Sequence, residues 1–194
     1  MDMAVSSEKR ELRKKLLREL FSQSEEEIKR RSENVQNSLS NLSIYKEAKV
    51  IMAYYPLRGE VDILGMVRKS WGTKRFCFSV LDLEKENLRP FEVENLEEEF
   101  VLGPLGAMQP DTRKTKEVDV REIDMIIVPS LALDRQKNRL GRGAGFYDHF
   151  LKTIEASTKK VGVIFEFQFL ESLPIHPSQD VKVDVVVSES FFIE

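Results

Sequence analysis

Five short apolar runs constrain this chain more than any other feature. They are Lys49 to Tyr55 (KVIMAYY), Lys74 to Val80 (KRFCFSV), Asp124 to Val128 (DMIIV), Val161 to Phe165 (VGVIF) and Asp184 to Val187 (DVVV). Runs of this length that are mostly apolar, rather than alternately so, suit strands buried on both faces. Pro56 and Gly59 close the first run and Pro129 the third, while helical patterns occupy Val61 to Trp71 and Phe146 to Thr158 between runs. The recurring order strand, helix, strand predicts an α/β fold: a three-layer sandwich with a mostly parallel central sheet flanked by helices.

Two helices are predicted ahead of the first strand. From Ser7, a plausible cap, to Leu20, the leucines at 12, 16, 17 and 20 recur at helical spacing. A second helix opens at Ser24, with Glu27 completing a capping-box pattern, and runs to about Leu42 with Ile28, Val35 and Leu39 on its apolar side. Glu84 to Phe100 is acidic, and Gly103 to Lys116 carries Gly, Pro and Asp-Thr punctuation. The two stretches read as an excursion from the sheet, with Glu97, Glu98 and Glu99 as a solvated face. At 194 residues and 41% hydrophobic content, one domain over 1–194 can bury a core.

The net charge of -3 argues against nucleic acid or an acidic membrane as partner. The single cysteine, Cys77, lies inside an apolar run, where packing in a reduced compartment is the expected role. No apolar run approaches the roughly 18 residues that span a bilayer. The first residues, MDMAVSSEKR, lack a secretory apolar region and carry acids at 2 and 8 that oppose a mitochondrial address. A cytoplasmic protein is expected.

The stretch Asn138 to His149, NRLGRGAGFYDH, sets Gly141, Gly143 and Gly145 among Arg139, Leu140, Arg142 and Ala144, directly before the predicted helix that begins Phe146, Tyr147, Asp148. Glycines let successive backbone N–H groups converge on an anion, and a helix amino terminus adds free donors. Arg139 and Arg142 can then contact phosphate oxygens, and Asp148 can hold magnesium beside them. A flexible turn, with solvated arginines and an aspartate that complements the helix dipole, explains the same spacing. Neither a Walker loop nor a dinucleotide fingerprint is present, so kinase and dehydrogenase assignments lose support.

The first helix places two cations on its apolar side. At about 100° per residue Lys9 and Arg13 lie about 40° apart, and Leu16 and Leu20 project within about 20° of Lys9. Either both snorkel to solvent or both face an anion near the core; a polyphosphate would serve these cations and the glycine loop together. In Asp180 to Val187 the alternation puts Val181, Val183, Val185 and Val187 on one side and Asp180, Lys182 and Asp184 on the other. With Asp148 these carboxylates suit a magnesium shell, although a solvated strand face explains them equally. Glu60, past the first strand, stands where α/β sheets gather ligands, or simply starts a helix. His149 and His176 show no zinc-site spacing and are expected to be structural or exposed.

The segment PSLALDRQKNRLGRGAGFYDHFL, Pro129 to Leu151, resembles the signature of 5-formyltetrahydrofolate cyclo-ligases, also called methenyltetrahydrofolate synthetases. The likeness extends to Lys9 and Arg13, to Glu60, to Gln179-Asp180 with Asp184, and to Ser188-Glu189. It implies conversion of 5-formyltetrahydrofolate to 5,10-methenyltetrahydrofolate with ATP as co-substrate and Mg2+ as cofactor, through a phosphorylated formyl group. It implies ATP contacts from Lys9, Arg13 and Arg139 through Tyr147, magnesium at Asp148 and Asp180, and folate contacts from Tyr55, Glu60, Phe146 and Tyr147. No side chain is implied as a covalent nucleophile, and the partners implied are small molecules, on a monomer or small homo-oligomer. The chain departs from the family pattern at Lys137 (usually glycine), Ser79 (usually proline), Phe146 (often tyrosine) and Gln179 (often histidine or asparagine). These departures keep open a non-catalytic relative that binds nucleotide or a phosphorylated metabolite. A further alternative is an isomerase-like or transferase-like enzyme that uses Glu60 as a base.

Overall fold

An eight-stranded mixed sheet runs through the protein, whose computed structural model describes residues 2–194. The first half comprises α1 (Asp2–Ser22), α2 (Glu25–Asn41), α3 (Ser43–Glu47), β1 (Val50–Ala53), α4 (Leu64–Ser70), β2 (Arg75–Asp82) and β3 (Asn87–Glu92). There follow β4 (Phe100–Leu102), β5 (Met108–Pro110), β6 (Lys116–Glu117), β7 (Met125–Pro129), β8 (Ala132–Asp134) and β9 (Arg139–Leu140). The remainder holds α5 (Phe146–Lys152), β10 (Lys159–Val163), β11 (Phe169–Leu170), β12 (Val185–Val187) and β13 (Phe192–Ile193). The sheet order is β13-β12-β10-β7-β1-β2-β3-β6. The strands β12, β10, β7, β1 and β2 are mutually parallel and correspond to the five apolar runs. Antiparallel strands close both edges, β13 at one and β3 with β6 at the other.

Alternation along each strand sorts the side chains into two layers. Ile51, Ala53, Phe76, Phe78, Ile127 and Val163 share one core with Leu16 and Leu20 of α1, Val35 and Leu39 of α2, and Val67 of α4. Val50, Met52, Cys77, Ile126 and Val128 share the other with Phe150 and Leu151 of α5. Helices thus cover both faces, as parallel strands require. Leu16 and Leu20 are each 2% exposed, and at about 1.5–3 kcal/mol for each buried leucine they fix how α1 lies on the sheet. Among the described residues no helix is long and apolar enough to cross a membrane.

Several expectations need correction. Ser7 does not cap α1, which already runs from Asp2. The Ser6 hydroxyl sits 3.3 Å from His176 Nε2, a tertiary contact at the first turns that periodicity cannot reveal. Ser24 does cap α2 by accepting from Glu27 N, but the Glu27 carboxylate turns to Arg30 and Arg31 instead of closing the box. The acidic excursion contains β3, which pairs with β2 from Cys77–Glu92 to Asp82–Asn87. Pro90 is tolerated there because its carbonyl accepts from Val118 N at 2.9 Å, so its missing donor faces away from β2. Helix α5 ends at Lys152 rather than near 158, where Thr153 turns its hydroxyl and its N–H back onto Phe150 O. Asp180 and Asp184 do not share a strand face: Asp180 lies in a turn, and Asp184 caps Lys160 N at 2.7 Å.

Candidate active site

A cavity of about 640 Å³ opens beside the carboxyl ends of β1 and β7, with Tyr54 and Tyr55 beyond one strand and Pro129 ending the other. The chain leaves β1 toward β2 on one side, and β7 continues to β10 on the other, so this is the switch point where α/β sheets open a crevice. Lys9, Arg13, Tyr55, Glu60, Asp148, Asp180 and each residue from Arg139 to Tyr147 line the cavity. Residues more than a hundred positions apart in sequence therefore meet.

The β8–β9 turn holds Arg139 in place. Its anchor is Asp134, fully buried, whose Oδ1 accepts from Gln136 N and Asn138 N and whose Oδ2 accepts from Asn138 Nδ2 and Leu173 N, all at 2.9 Å. Lys137 at the tip has φ of 64°, the left-handed region natural to glycine, and its N–H donates to Asp134 O at 2.9 Å. The lysine thus keeps the turn that glycine would make, at a cost of about 1–2 kcal/mol, and its Nζ donates to Asp184 O at 3.0 Å. Sequence reasoning passed over Asp134, although an aspartate four residues before an asparagine in a turn is an Asx signal.

Arg139 is 5% exposed; its Nη2 donates to Asp148 Oδ2 at 2.7 Å and its guanidinium lies 5.7 Å from the Tyr147 ring centre. Its Nε is the one buried side-chain nitrogen or oxygen among the described residues with no hydrogen-bond partner. Gly141 leaves room for this arginine, since a Cβ there would fall 2.7 Å from Arg139 Nη1. Gly143, with φ of 115°, lies against α1: a Cβ there would stand 3.5 Å from Arg13 Cζ. Arg13 Nε donates to Gly141 O at 2.9 Å, which ties α1 directly to the glycine loop. Burial draws the Arg13 guanidinium below its ordinary range, while Asp180 and Asp148 oppose that shift.

Lys9 is 5% exposed and forms an ion pair with Asp180, whose Oδ2 also accepts from His176 N at 2.7 Å. Asp148 Oδ1 accepts from Val181 N at 3.1 Å, which sets both aspartates on one wall. At the glycine loop Glu60 Oε1 accepts from Arg142 Nε at 2.7 Å and Oε2 from Leu57 N at 2.9 Å. Tyr54 donates to Val61 O at 2.6 Å and so closes the loop that carries Glu60. Burial pushes the Tyr147 phenol well up, so it remains protonated. Leu81, Leu88, Leu105 and Met108 make an apolar end supplied by β2, β3 and the β4–β5 hairpin. The sequence reading missed this wall because most of it belongs to the stretch taken as an excursion. His149, His176 and Gln179 line the cavity as well.

The wall suits a phosphate chain through cations, glycine-lined backbone and one buried N–H without a partner. Helix α5 has seven residues, so its dipole adds less than the sequence suggested. No three His, Cys, Asp or Glu residues among those described could hold a metal ion by themselves. Magnesium, which commonly takes one or two carboxylates and completes its shell with phosphate oxygens and water, remains compatible with Asp148 and Asp180. Asp184 lies outside this set.

A sequence model of the 5-formyltetrahydrofolate cyclo-ligase family matches residues 5–189. The chain belongs to that family. Like the family's other members it is a ligase-class enzyme, and the matched range includes each cavity residue from Ser6 to Asp180. It is similar to 5-formyltetrahydrofolate cyclo-ligase of Mus musculus, 28% identical over 96% of both chains. Among solved structures it resembles Aquifex aeolicus 5,10-methenyltetrahydrofolate synthetase, with a TM-score of 0.82, 34% identity, and coverage of 95% of this chain and 91% of the other. The corresponding protein of Mycoplasma pneumoniae shares the fold at a TM-score of 0.73 and 20% identity, over 94% of this chain and 99% of that one.

Proposed function

We propose that this chain converts 5-formyltetrahydrofolate to 5,10-methenyltetrahydrofolate in one-carbon metabolism, using ATP and magnesium and releasing ADP and phosphate. The observation that carries the proposal is the bond from Arg13 Nε to Gly141 O, which joins the cations of α1 to the glycine loop on one cavity wall. Lys9, Arg13, Arg139 and the loop amides from Gly141 to Gly145 hold the phosphates. Asp148 and Asp180 would hold magnesium, which would neutralise charge on the transferred group. Glu60 accepts hydrogen bonds from the donor edge of the pterin, while Tyr55, Phe146 and Tyr147 pack against its rings.

The formyl oxygen attacks the γ-phosphorus, forming a P–O bond as the bond to ADP breaks. In the resulting iminophosphate the neighbouring anilino nitrogen attacks the formyl carbon and loses its proton, and the carbon–oxygen bond breaks to release phosphate. Positioning and charge neutralisation carry such a transfer, which needs no covalent nucleophile from the protein. The half-buried, protonated Tyr147, with the Arg139 guanidinium against its ring, shields one side of the reacting atoms from water. One cytoplasmic domain over 1–194, as a monomer or small homo-oligomer, is the unit proposed. The left-handed Lys137 preserves the turn that carries Arg139, so this departure does not favour a non-catalytic relative.

Purified protein mixed with 5-formyltetrahydrofolate, ATP and magnesium should generate the methenyl chromophore, and omission of ATP should abolish it. Intact ligand binding without chromophore would refute the catalytic proposal.

A further inference from the structure

Arg142 belongs to the wall proposed for phosphate and Glu60 to the wall proposed for the pterin, yet the two are bonded to each other. Glu60 is enclosed, its side chain 9% exposed, and Arg142 Nε takes its Oε1 at 2.7 Å while Leu57 N takes its Oε2 at 2.9 Å. Arg142 Nη2 also donates to Arg58 O at 2.9 Å, which draws the guanidinium toward the loop after β1. The other two ion pairs of the cavity, Lys9 with Asp180 and Arg139 with Asp148, each join groups proposed for one ligand, the nucleotide with its magnesium. The Arg142–Glu60 pair alone spans both ligands.

We infer that Arg142 and Glu60 form a latch that makes binding of the nucleotide and of the reduced folate mutually cooperative; this rests on the function proposed above. A nucleotide that recruits Arg142 must pull it from Glu60 and leave an enclosed carboxylate without its counterion. A pterin that takes Glu60 must displace Arg142 likewise. Whichever ligand arrives second meets the pair already broken, and linkage requires the gain to be equal in either order. The hinge is available in the chain: Arg142 sits between Gly141 and Gly143, and the latter already occupies a φ of 115°. A ligand-free enzyme is thereby held with its folate carboxylate neutralised, and the site is completed when both substrates are present.

Calorimetric titration of the full chain tests this, with β,γ-methylene-ATP and magnesium as one ligand and 5-formyltetrahydrofolate as the other. Each should bind about tenfold more tightly when the other is saturating, within the range usual for coupled sites. Arg142→Met should bind 5-formyltetrahydrofolate alone more tightly than the wild type does. Glu60→Gln should bind the nucleotide analogue alone more tightly and without dependence on folate. A purely structural pair would weaken binding in both variants, which would overturn the latch. Independent binding of the two ligands by the wild type, a comparison that needs no variant, would overturn it while leaving the proposed reaction standing. Failure of the wild type to bind either ligand would overturn both.

Discussion

Lys9→Met removes a charge from a pair that is almost closed to water. The Lys9 side chain is 7% exposed and that of Asp180 17%, so the substitution leaves a largely enclosed carboxylate facing an apolar tip. Breaking a fully buried pair costs about 3–5 kcal/mol, and the N–H of His176 still satisfies part of Asp180, which places the expected loss near 2–3 kcal/mol. For a chain of this size that corresponds to a fall of about 4–12 °C in Tm. Adding Asp180→Asn should restore most of the lost stability, because the stranded charge goes with it. At 20 °C, where the variant is still folded, kcat/KM for ATP should fall by about 10- to 150-fold, the value of one charge-assisted contact of about 1.5–3 kcal/mol. Binding of 5-formyltetrahydrofolate alone should be unchanged. Thermal unfolding, titration and the chromophore assay measure the three quantities. A lower Tm with undiminished kcat/KM would make Lys9 a structural residue only, and no change in either would refute the pairing itself.

Asp134→Asn replaces one carboxylate oxygen by an N–H₂ group that faces two of the four surrounding donors; urea unfolding should show a loss of about 2–4 kcal/mol, and a loss below about 1 would mean the turn tolerates it. Asp111, bonded to Arg113, has its carboxyl held at about 2 against an ordinary 3.8 by that arginine's side chain and N–H. A carboxyl depressed on folding adds stability above about pH 4 that disappears as pH falls toward 2, so Asp111→Asn should flatten the acid limb of a stability–pH curve over that window. Cys77 is fully buried and burial pushes its thiol up, so a thiol reagent should modify it only at the rate of unfolding; fast native-state labelling would contradict its placement.

Much of the architecture is readable in local pattern. The five apolar runs define the parallel strands because a strand covered on both faces must be apolar throughout, and Ser24 announces α2 through its own side chain. The cations Lys9 and Arg13 stand out because they break the stripe that Leu16 and Leu20 continue. The glycines of the 141–145 loop stand out because glycine marks positions where a Cβ would collide or φ must be positive. What the sequence leaves open are relations between distant segments. Strand β3 hides in an acidic stretch because its identity depends on the ladder with β2, and the apolar end of the cavity follows it. Asp180 looks like half of a strand face until the fold sets its carboxylate on Lys9. Glu60 and Arg142 look like ligands for two different molecules, and tertiary structure joins them. Periodicity and backbone constraints act over a few residues and are written locally, whereas a charge takes the nearest opposite charge in space, and only the packed chain decides which one that is.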